Sequence, residues 1–161
     1  KVSPILDEHW FNECQIALDT LKMVFSRAPV LVSPDFSKDF ELYCDASQHG
    51  VGSMLCQRDD ANELRPIALY SRKLSGSELR WCITRKETIS VVWSLEHFRS
   101  FVFGYRTLVF TRHRAVIRLL HQSYPSAYFR YAERVSLYDI KLLYIPGRLN
   151  QVGDYFFRIV L

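Results

Sequence analysis

Cysteine is scarce in this sequence, and the arrangement of the few present excludes two classes of stabilised small domain. The four cysteines stand at positions 14, 44, 56 and 82, and no two have the close spacing of zinc ligands or of a disulfide framework. Cys44, Cys56 and Cys82 lie in apolar contexts, and we predict that all three are buried, reduced thiols.

Long hydrophobic runs, internal repeats and low-complexity tracts are also absent. No apolar segment approaches the ~20 residues that a transmembrane helix needs, and no signal peptide opens the chain. We therefore expect an intracellular domain, nuclear or cytoplasmic, without a membrane partner. We also expect flanking domains in a longer polypeptide.

A large charge imbalance is the third missing feature. The 161 residues carry 21 lysines and arginines against 17 aspartates and glutamates, a net charge of +4. This mild excess permits a polyanionic partner without requiring one, and an ordinary solvated surface explains it equally well. The hydrophobic content of 48% is enough for one domain with a real core.

Hydrophobic periodicity predicts alternating strands and helices along most of the chain. The order βββαβαβ that follows a first helix favours an α/β layer architecture. The predicted helices cover residues 10–26, 84–101, 114–120 and 126–137, and the predicted strands cover 39–45, 51–57, 65–72, 106–111 and 139–145.

Charged residues stand at the ends of several of these elements. Asp45 ends the first strand, Arg112 ends the fourth, Glu87 lies near the start of the main helix, and Asp154 lies in the C-terminal segment. Taken singly, an aspartate at a strand end is usually a turn residue, and a glutamate on a helix is usually solvated.

A series of ordered motifs favours a functional role for these residues. The sequence resembles the RNase H domain of gypsy-type long-terminal-repeat retrotransposons over roughly residues 9 to 158. The motifs that carry the resemblance are Ala28-Pro29-Val30-Leu31, Pro34-Asp35-Phe36-Ser37-Lys38, Cys44-Asp45-Ala46-Ser47, Ser71-Arg72-Lys73-Leu74, Arg85-Lys86-Glu87, Val91-Val92-Trp93-Ser94-Leu95-Glu96, Tyr138-Asp139-Ile140, Tyr144-Ile145-Pro146-Gly147 and Asp154.

The resemblance implies an α/β RNase H-like fold, with a five-stranded mixed sheet in the order 3-2-1-4-5 and flanking helices. Residues 1–35 would form an N-terminal helix and an extended linker from a polymerase, and residues 36–161 the RNase H-like domain. Intact members carry Asp, Glu, Asp and Asp at the places of residues 45, 87, 112 and 154, and these carboxylates hold two Mg²⁺ or Mn²⁺ ions.

Arg112 is the departure that matters most for function. Replacing the third aspartate by arginine removes a metal ligand and adds a charge that a protein cannot deprotonate away. We therefore expect metal binding by Asp45, Glu87 and Asp154 to be weak or lost, with no metal bound. We also expect the guanidinium to form bidentate pairs with the remaining carboxylates.

These expectations favour a catalytically inactive domain, retained by a host as a binding or scaffolding module. Two alternatives stay open: a weakly active ribonuclease H that cleaves RNA in RNA–DNA hybrids, and a module that binds a hybrid or RNA without cleaving it. The basic residues predicted to line a nucleic-acid groove are Arg72, Lys73, Arg80, Arg85, Lys86, Arg112 and Arg114.

A protein partner is a further possibility that the sequence leaves open. Tyr124, Tyr128, Phe129 and Tyr131 form an aromatic group that is unusual for a solvated helix. Packing of the same side chains onto the sheet is the competing interpretation, and the tryptophans Trp10, Trp81 and Trp93 are interpreted as core or interface residues.

Overall fold

The chain divides into two compact units, Lys1–Val32 and Ser33–Leu161. The computed structural model describes residues 11–27, 31–121 and 128–146. The first unit contains helix α1 (Asn12–Arg27), close to the helix predicted over residues 10–26. The end of this unit at Val32 lies near the domain boundary predicted between residues 35 and 36.

The second unit contains the alternating strands and helices that the hydrophobic periodicity predicts. Each predicted element overlaps an observed one, with ends that differ by a few residues, and the 3₁₀ helix at Gly76–Arg80 was not predicted. The strands are β1 (Phe40–Ala46), β2 (Gly50–Arg58), β3 (Leu64–Lys73), β4 (Thr107–Thr111) and β5 (Ile140–Tyr144), and the helices are α2 (Ile83–His97), α3 (Arg99–Val102), α4 (Arg114–His121) and α5 (Phe129–Val135), with a 3₁₀ helix at Gly76–Arg80.

The strands form one mixed sheet in the order β3-β2-β1-β4-β5, which confirms the order that the resemblance implied. Strand β2 pairs antiparallel with both β1 and β3, while β4 pairs parallel with both β1 and β5. Because β1 and β4 run in the same direction, their carboxyl ends meet at one edge of the sheet. This edge collects residues that lie far apart in the sequence.

Strand β1 is buried on both faces, although its alternating sequence suggests one apolar face. Phe40, Leu42 and Cys44 belong to the main core, which helix α2 covers by packing on β1 and β2. Tyr43 belongs to a second, smaller cluster with Met54 and Cys56. A central strand with both faces covered desolvates any charged group that it carries, and this governs the chemistry at its end.

The main helix is shorter than the span of 84–101 that periodicity predicts. Helix α2 ends at His97, and the short α3 follows it after the buried Phe98. The N–H of Phe98 still donates to the carbonyl of Ser94, so the apolar face continues across the break. Gly104, with φ of +84°, then ends the helical stretch in a conformation that glycine adopts most readily.

One prediction about the cysteines is wrong. Cys44 and Cys56 are buried as expected, but Cys82 is exposed. The reason is positional, because Cys82 is the residue that caps the N-terminus of α2, where the chain turns at the surface. Apolar neighbours in sequence therefore do not bury it.

Within the described ranges, no helix combines the length and the apolar character needed to cross a bilayer.

Candidate functional site

The carboxyl-terminal edge of β1 and β4 brings Asp45 and Arg112 together. Cys44 is opposite Thr111 in the parallel register, so the next residue on each strand lies at the same sheet edge. In open α/β sheets, ligand sites form at the carboxyl ends of the strands. The two residues are 67 positions apart in the sequence, and only the parallel pairing makes them neighbours.

Arg112 donates two hydrogen bonds to the carboxylate of Asp45. Its Nε donates to Oδ1 at 3.0 Å, and its Nη2 donates to Oδ2. The Asp45 side chain is 5% exposed and that of Arg112 is 26% exposed. A two-pronged, charge-assisted contact of this kind is the strong form of an arginine–carboxylate pair. The predicted pairing of Arg112 with Asp45 is therefore confirmed.

Glu87 approaches the same edge from the first turns of α2. Its side chain is buried beside the backbone N–H of Ala46, and Oε2 has no hydrogen-bond partner among the described residues. Burial raises the pKa of the Glu87 carboxyl to about 8, and the negative charge of Asp45 adds to the rise. The positive charge of Arg112 and the Ala46 N–H act in the opposite direction.

Cys44 sits beneath this cluster as an inert thiol. Burial raises its pKa to about 12, the charges of Glu87 and Asp45 raise it further, and a hydrogen bond with Ser94 opposes them. The thiolate, which is the nucleophilic form of cysteine, is therefore absent near neutral pH. Cys44 serves as packing in the core under the site.

His113 follows Arg112 and contacts one residue of β4 and one of α2. Its backbone N–H donates to Thr111 Oγ1 at 3.2 Å, and its Nε2 lies 3.4 Å from Thr84 Oγ1. The second contact joins the end of β4 to the start of α2.

Comparison with known proteins places this arrangement in a family. A family model described as "RNase H-like domain found in reverse transcriptase" matches residues 10–109. The chain belongs to this family. Its sequence relatives include retrovirus-related Pol polyproteins of Drosophila melanogaster from transposon opus (33% identical), transposon 297 (35%) and transposon gypsy (32%), each matched over 89% of this chain. The chain spans only 13–14% of the length of these relatives.

Solved structures agree on the fold of this RNase H-like domain. A foamy viral protease-reverse transcriptase in complex with double-stranded DNA has a TM-score of 0.63 at 16% identity, over 84% of this chain and 26% of that one. RNase H1 from the archaeon Halobacterium salinarum has a TM-score of 0.54 at 12% identity, over 73% of this chain and 92% of that one. At these identities the likeness concerns the fold alone.

The ancestral RNase H-like fold uses divalent metals, and the described residues of this domain do not fit them. Both Asp45 oxygens accept hydrogen bonds from the guanidinium of Arg112, which competes with a metal cation for the same carboxylate. Within the described ranges, no three His, Cys, Asp or Glu side chains are arranged to hold a metal ion. Asp154, the fourth predicted site residue, lies outside the described residues.

Most of the predicted groove arginines of the RNase H-like domain lie over aromatic rings. Arg72 lies 3.7 Å from the Trp93 ring centre and also pairs with Glu78 at 2.8 Å. Arg85 lies 4.1 Å from the centre of the Trp81 ring. Arg114 similarly stacks on Tyr144, while Lys73 and Arg80 are exposed. Their part in nucleic-acid binding stays a prediction.

The predicted aromatic group is split between surface and core. Phe129 is exposed, while Tyr128 and Tyr131 are half-buried and stack edge to face with ring centres 6.1 Å apart. Tyr124 lies outside the described residues. Tyr131 packs against the main core, as one interpretation predicts, and the protein partner stays a prediction.

The sequence interpretation missed a cleft at the N-terminus of α2, lined by Gln48, Leu79, Trp81, Ile83 and Lys86. Lys86 was predicted as a groove residue, but it is buried, and its Nζ donates to the carbonyls of Gln48 and Leu79 at 3.0 and 2.9 Å. Four of the cleft's five lining residues lie within residues 79–86, and this close spacing was the sequence signal.

Proposed function

We propose that this RNase H-like domain is catalytically inactive and serves as a binding or scaffolding module derived from a retrotransposon. The observation that carries the proposal is the two-pronged contact of Arg112 with both oxygens of Asp45. The contact puts a fixed positive charge where hydrolysis of a phosphodiester requires anionic oxygens around two cations.

The charge balance supports inactivity independently of the hydrogen bonds. An aspartate at position 112 would contribute one negative charge, whereas Arg112 contributes one positive charge, so the local charge changes by two units against cation binding. Two divalent ions about 3.5–4 Å apart repel each other strongly and need several carboxylates to neutralise them. An arginine stays protonated at every pH at which the protein folds.

Nucleic acid is the partner class that the comparisons favour. The structural neighbours include foamy viral proteins solved with double-stranded DNA and with an RNA/DNA hybrid. The chain carries a net charge of +4, which assists association with a polyanion. We propose that the domain binds such a partner and leaves it intact.

A cleavage assay tests the proposal directly. A labelled RNA–DNA hybrid is incubated with the protein in Mg²⁺ and, separately, in Mn²⁺, and the expected result is no cleavage above that of an Asp45→Asn variant. Robust cleavage that disappears in Asp45→Asn would show an active ribonuclease H, the alternative function, and would refute the proposal.

The reverse substitution locates the cause of inactivity. Arg112→Asp restores the ancestral residue, and we expect it to create metal-dependent cleavage. Arg118→Asp is the matched control, because it makes the same change of charge on an exposed side chain of α4 that is not among the predicted groove residues. Equal activity in the two variants would mean that general charge, and not the position of Arg112, controls the reaction.

A further inference from the structure

Strand β3 forms one edge of the five-stranded sheet, because the strand order ends with it. Its ten residues, Leu64–Lys73, pair with β2 on one side, and no strand of the described ranges pairs with the other side. Strand β5, at the opposite edge, has only five residues, and helix α4 packs on it. The longer edge of the sheet is therefore the one that β3 forms.

The backbone of β3 directs alternate residues toward this open edge. The N–H of Leu74 donates to the carbonyl of His49 at 2.7 Å, which fixes where the hydrogen-bonded pairs of the β2–β3 ladder fall. Hydrogen-bonded and non-hydrogen-bonded pairs alternate in an antiparallel ladder, so Leu69, Ser71 and Lys73 stand in non-hydrogen-bonded pairs with β2. Their N–H and C=O groups therefore point away from β2 and line the open edge.

The side chains of the same three residues are exposed to solvent. Leu69, Ser71 and Lys73 share one face of the strand, because side chains alternate along it. Leu69 is 41% exposed although it is a large apolar residue, and Lys73 makes no ion pair within the described part of the chain. The edge thus offers one apolar and one cationic side chain beside its outward backbone groups.

The residues between these three hold the edge in a fixed position. Tyr70 stacks on His97 of α2 with ring centres 4.3 Å apart. Arg72 lies 3.7 Å from the ring centre of Trp93 and pairs with Glu78. A strand that is anchored on its other face loses little conformational entropy when a further strand pairs with it.

The start of β3 is closed to a further strand. The register of β2 and β3 shifts between Leu55 and Cys56, and Pro66 opposite Cys56 has no N–H to donate. A bulge and a proline are the usual means of protecting a sheet edge. They leave Leu69–Lys73 as the stretch that can pair, which we call the open edge.

We propose that the open edge binds an extended segment of a protein partner as an added antiparallel strand. The segment carries an acidic side chain opposite Lys73 and an apolar side chain opposite Leu69, because such cross-strand pairs are stabilising. A second copy of this chain fits less well, since antiparallel self-pairing centred on Ser71 sets each Lys73 opposite a Leu69. Binding at this edge goes beyond the proposed non-cleaving function and is independent of it.

Fluorescence anisotropy with a labelled heptapeptide, Thr-Glu-Thr-Thr-Val-Ile-Thr, tests the pairing on the natural protein. In the antiparallel register, its Glu lies opposite Lys73 and its Ile opposite Leu69. N-methylation of the second, fourth and sixth peptide residues removes the N–H groups that face β3, and we expect binding to weaken by at least about tenfold. N-methylation of the third and fifth residues, whose N–H groups face away, is the matched control and should have a much smaller effect.

Lys73→Glu tests the charge complementarity. We expect it to weaken binding of the peptide about fivefold, and a peptide with Lys in place of Glu should recover the affinity for this variant. Lys141→Glu is the matched control, because it makes the same change of charge on an exposed lysine of β5, at the other edge of the sheet. It should leave binding unchanged.

The proposal is overturned if the two N-methylated peptides bind alike, if Lys73→Glu and Lys141→Glu bind alike, or if the unmodified peptide does not bind at millimolar concentration. Sedimentation equilibrium tests the second copy as the occupant, and we expect a monomer. A dimer that Ser71→Pro dissociates would assign the open edge to self-pairing and would also overturn the proposal. None of these outcomes bears on the non-cleaving function, which fails only on cleavage in Mg²⁺ or Mn²⁺.

Discussion

The two ends of strand β1 carry the same kind of contact in different settings. At one end, Asp45 pairs with Arg112 from β4, and near the other end Glu41 pairs with Arg58 from β2. Each arginine contacts both oxygens of a carboxylate that is at most 10% exposed. The resemblance assigns catalysis to the Asp45 end. The contact there nevertheless has the same form as the contact between Glu41 and Arg58 at the other end.

The two ends differ in the third side chain that lies beside the arginine–carboxylate pair. Glu41 also accepts a hydrogen bond from the hydroxyl of Tyr43 at 2.6 Å, and its arginine is 43% exposed. The Asp45 end instead has a second buried carboxyl, Glu87, beside the pair. The Asp45 end therefore gathers two acidic groups around one arginine, whereas the Glu41 end has one.

The largest expected effect comes from breaking the Asp45 end. Arg112→Gln leaves the Asp45 carboxylate buried without its guanidinium, and we expect a loss of about 3 kcal/mol in the free energy of unfolding. Urea denaturation measures it. In the double variant Asp45→Asn/Arg112→Gln, most of the loss should be recovered, because both charges are gone. Simple addition of the two single effects would show that the side chains do not act as a pair.

Breaking the Glu41 end should cost less. Arg58→Gln removes a partly exposed arginine, and Glu41 keeps the Tyr43 hydroxyl, so we expect a loss of about 1 kcal/mol in the free energy of unfolding. The same denaturation experiment gives the value. A loss equal to that of Arg112→Gln would mean that burial does not distinguish the two ends.

Removing the third group at the Glu41 end should have a smaller effect. Burial and the Glu41 hydrogen bond raise the pKa of Tyr43, so its hydroxyl stays a donor at every pH of interest. Tyr43→Phe deletes this donor and should cost about 0.5–1 kcal/mol. Tyr105→Phe, on an exposed tyrosine, is the control and should change stability by less. Equal losses in the free energy of unfolding would mean that the Tyr43 hydrogen bond stabilises the protein no more than an exposed hydroxyl does.

The smallest expected effect is that of magnesium on the thermal midpoint of the natural protein. A metal that binds only the folded state raises the thermal midpoint according to its affinity. Because Arg112 donates hydrogen bonds to both Asp45 oxygens, we expect no shift for the natural protein and an upward shift for Arg112→Asp, with Arg118→Asp as the charge-matched control. A shift in the natural protein at millimolar Mg²⁺ would show that Asp45 can release its arginine.

Where the sequence predicted well, the signal was local or carried by ordered motifs. The periodicity of apolar residues located every strand, and the motifs implied the sheet order, because both depend on short stretches of chain. One error concerns exposure, because Cys82 has apolar neighbours but lies at a helix cap. The sequence also made no prediction of the second cluster that covers Tyr43. Neither result can be deduced from neighbouring residues, since burial depends on what packs from elsewhere.

By itself, the sequence determined the elements, their order and the identity of the charge at position 112. A guanidinium is positive wherever it stands, so the expected loss of a metal ligand was predicted without coordinates. Only the tertiary structure decided what that charge contacts and what lies around it. The parallel pairing of β1 with β4 sets Arg112 on Asp45, and the packing of α2 buries Glu87 and encloses Lys86. These are contacts between distant segments, and their strength depends on the water that folding removes.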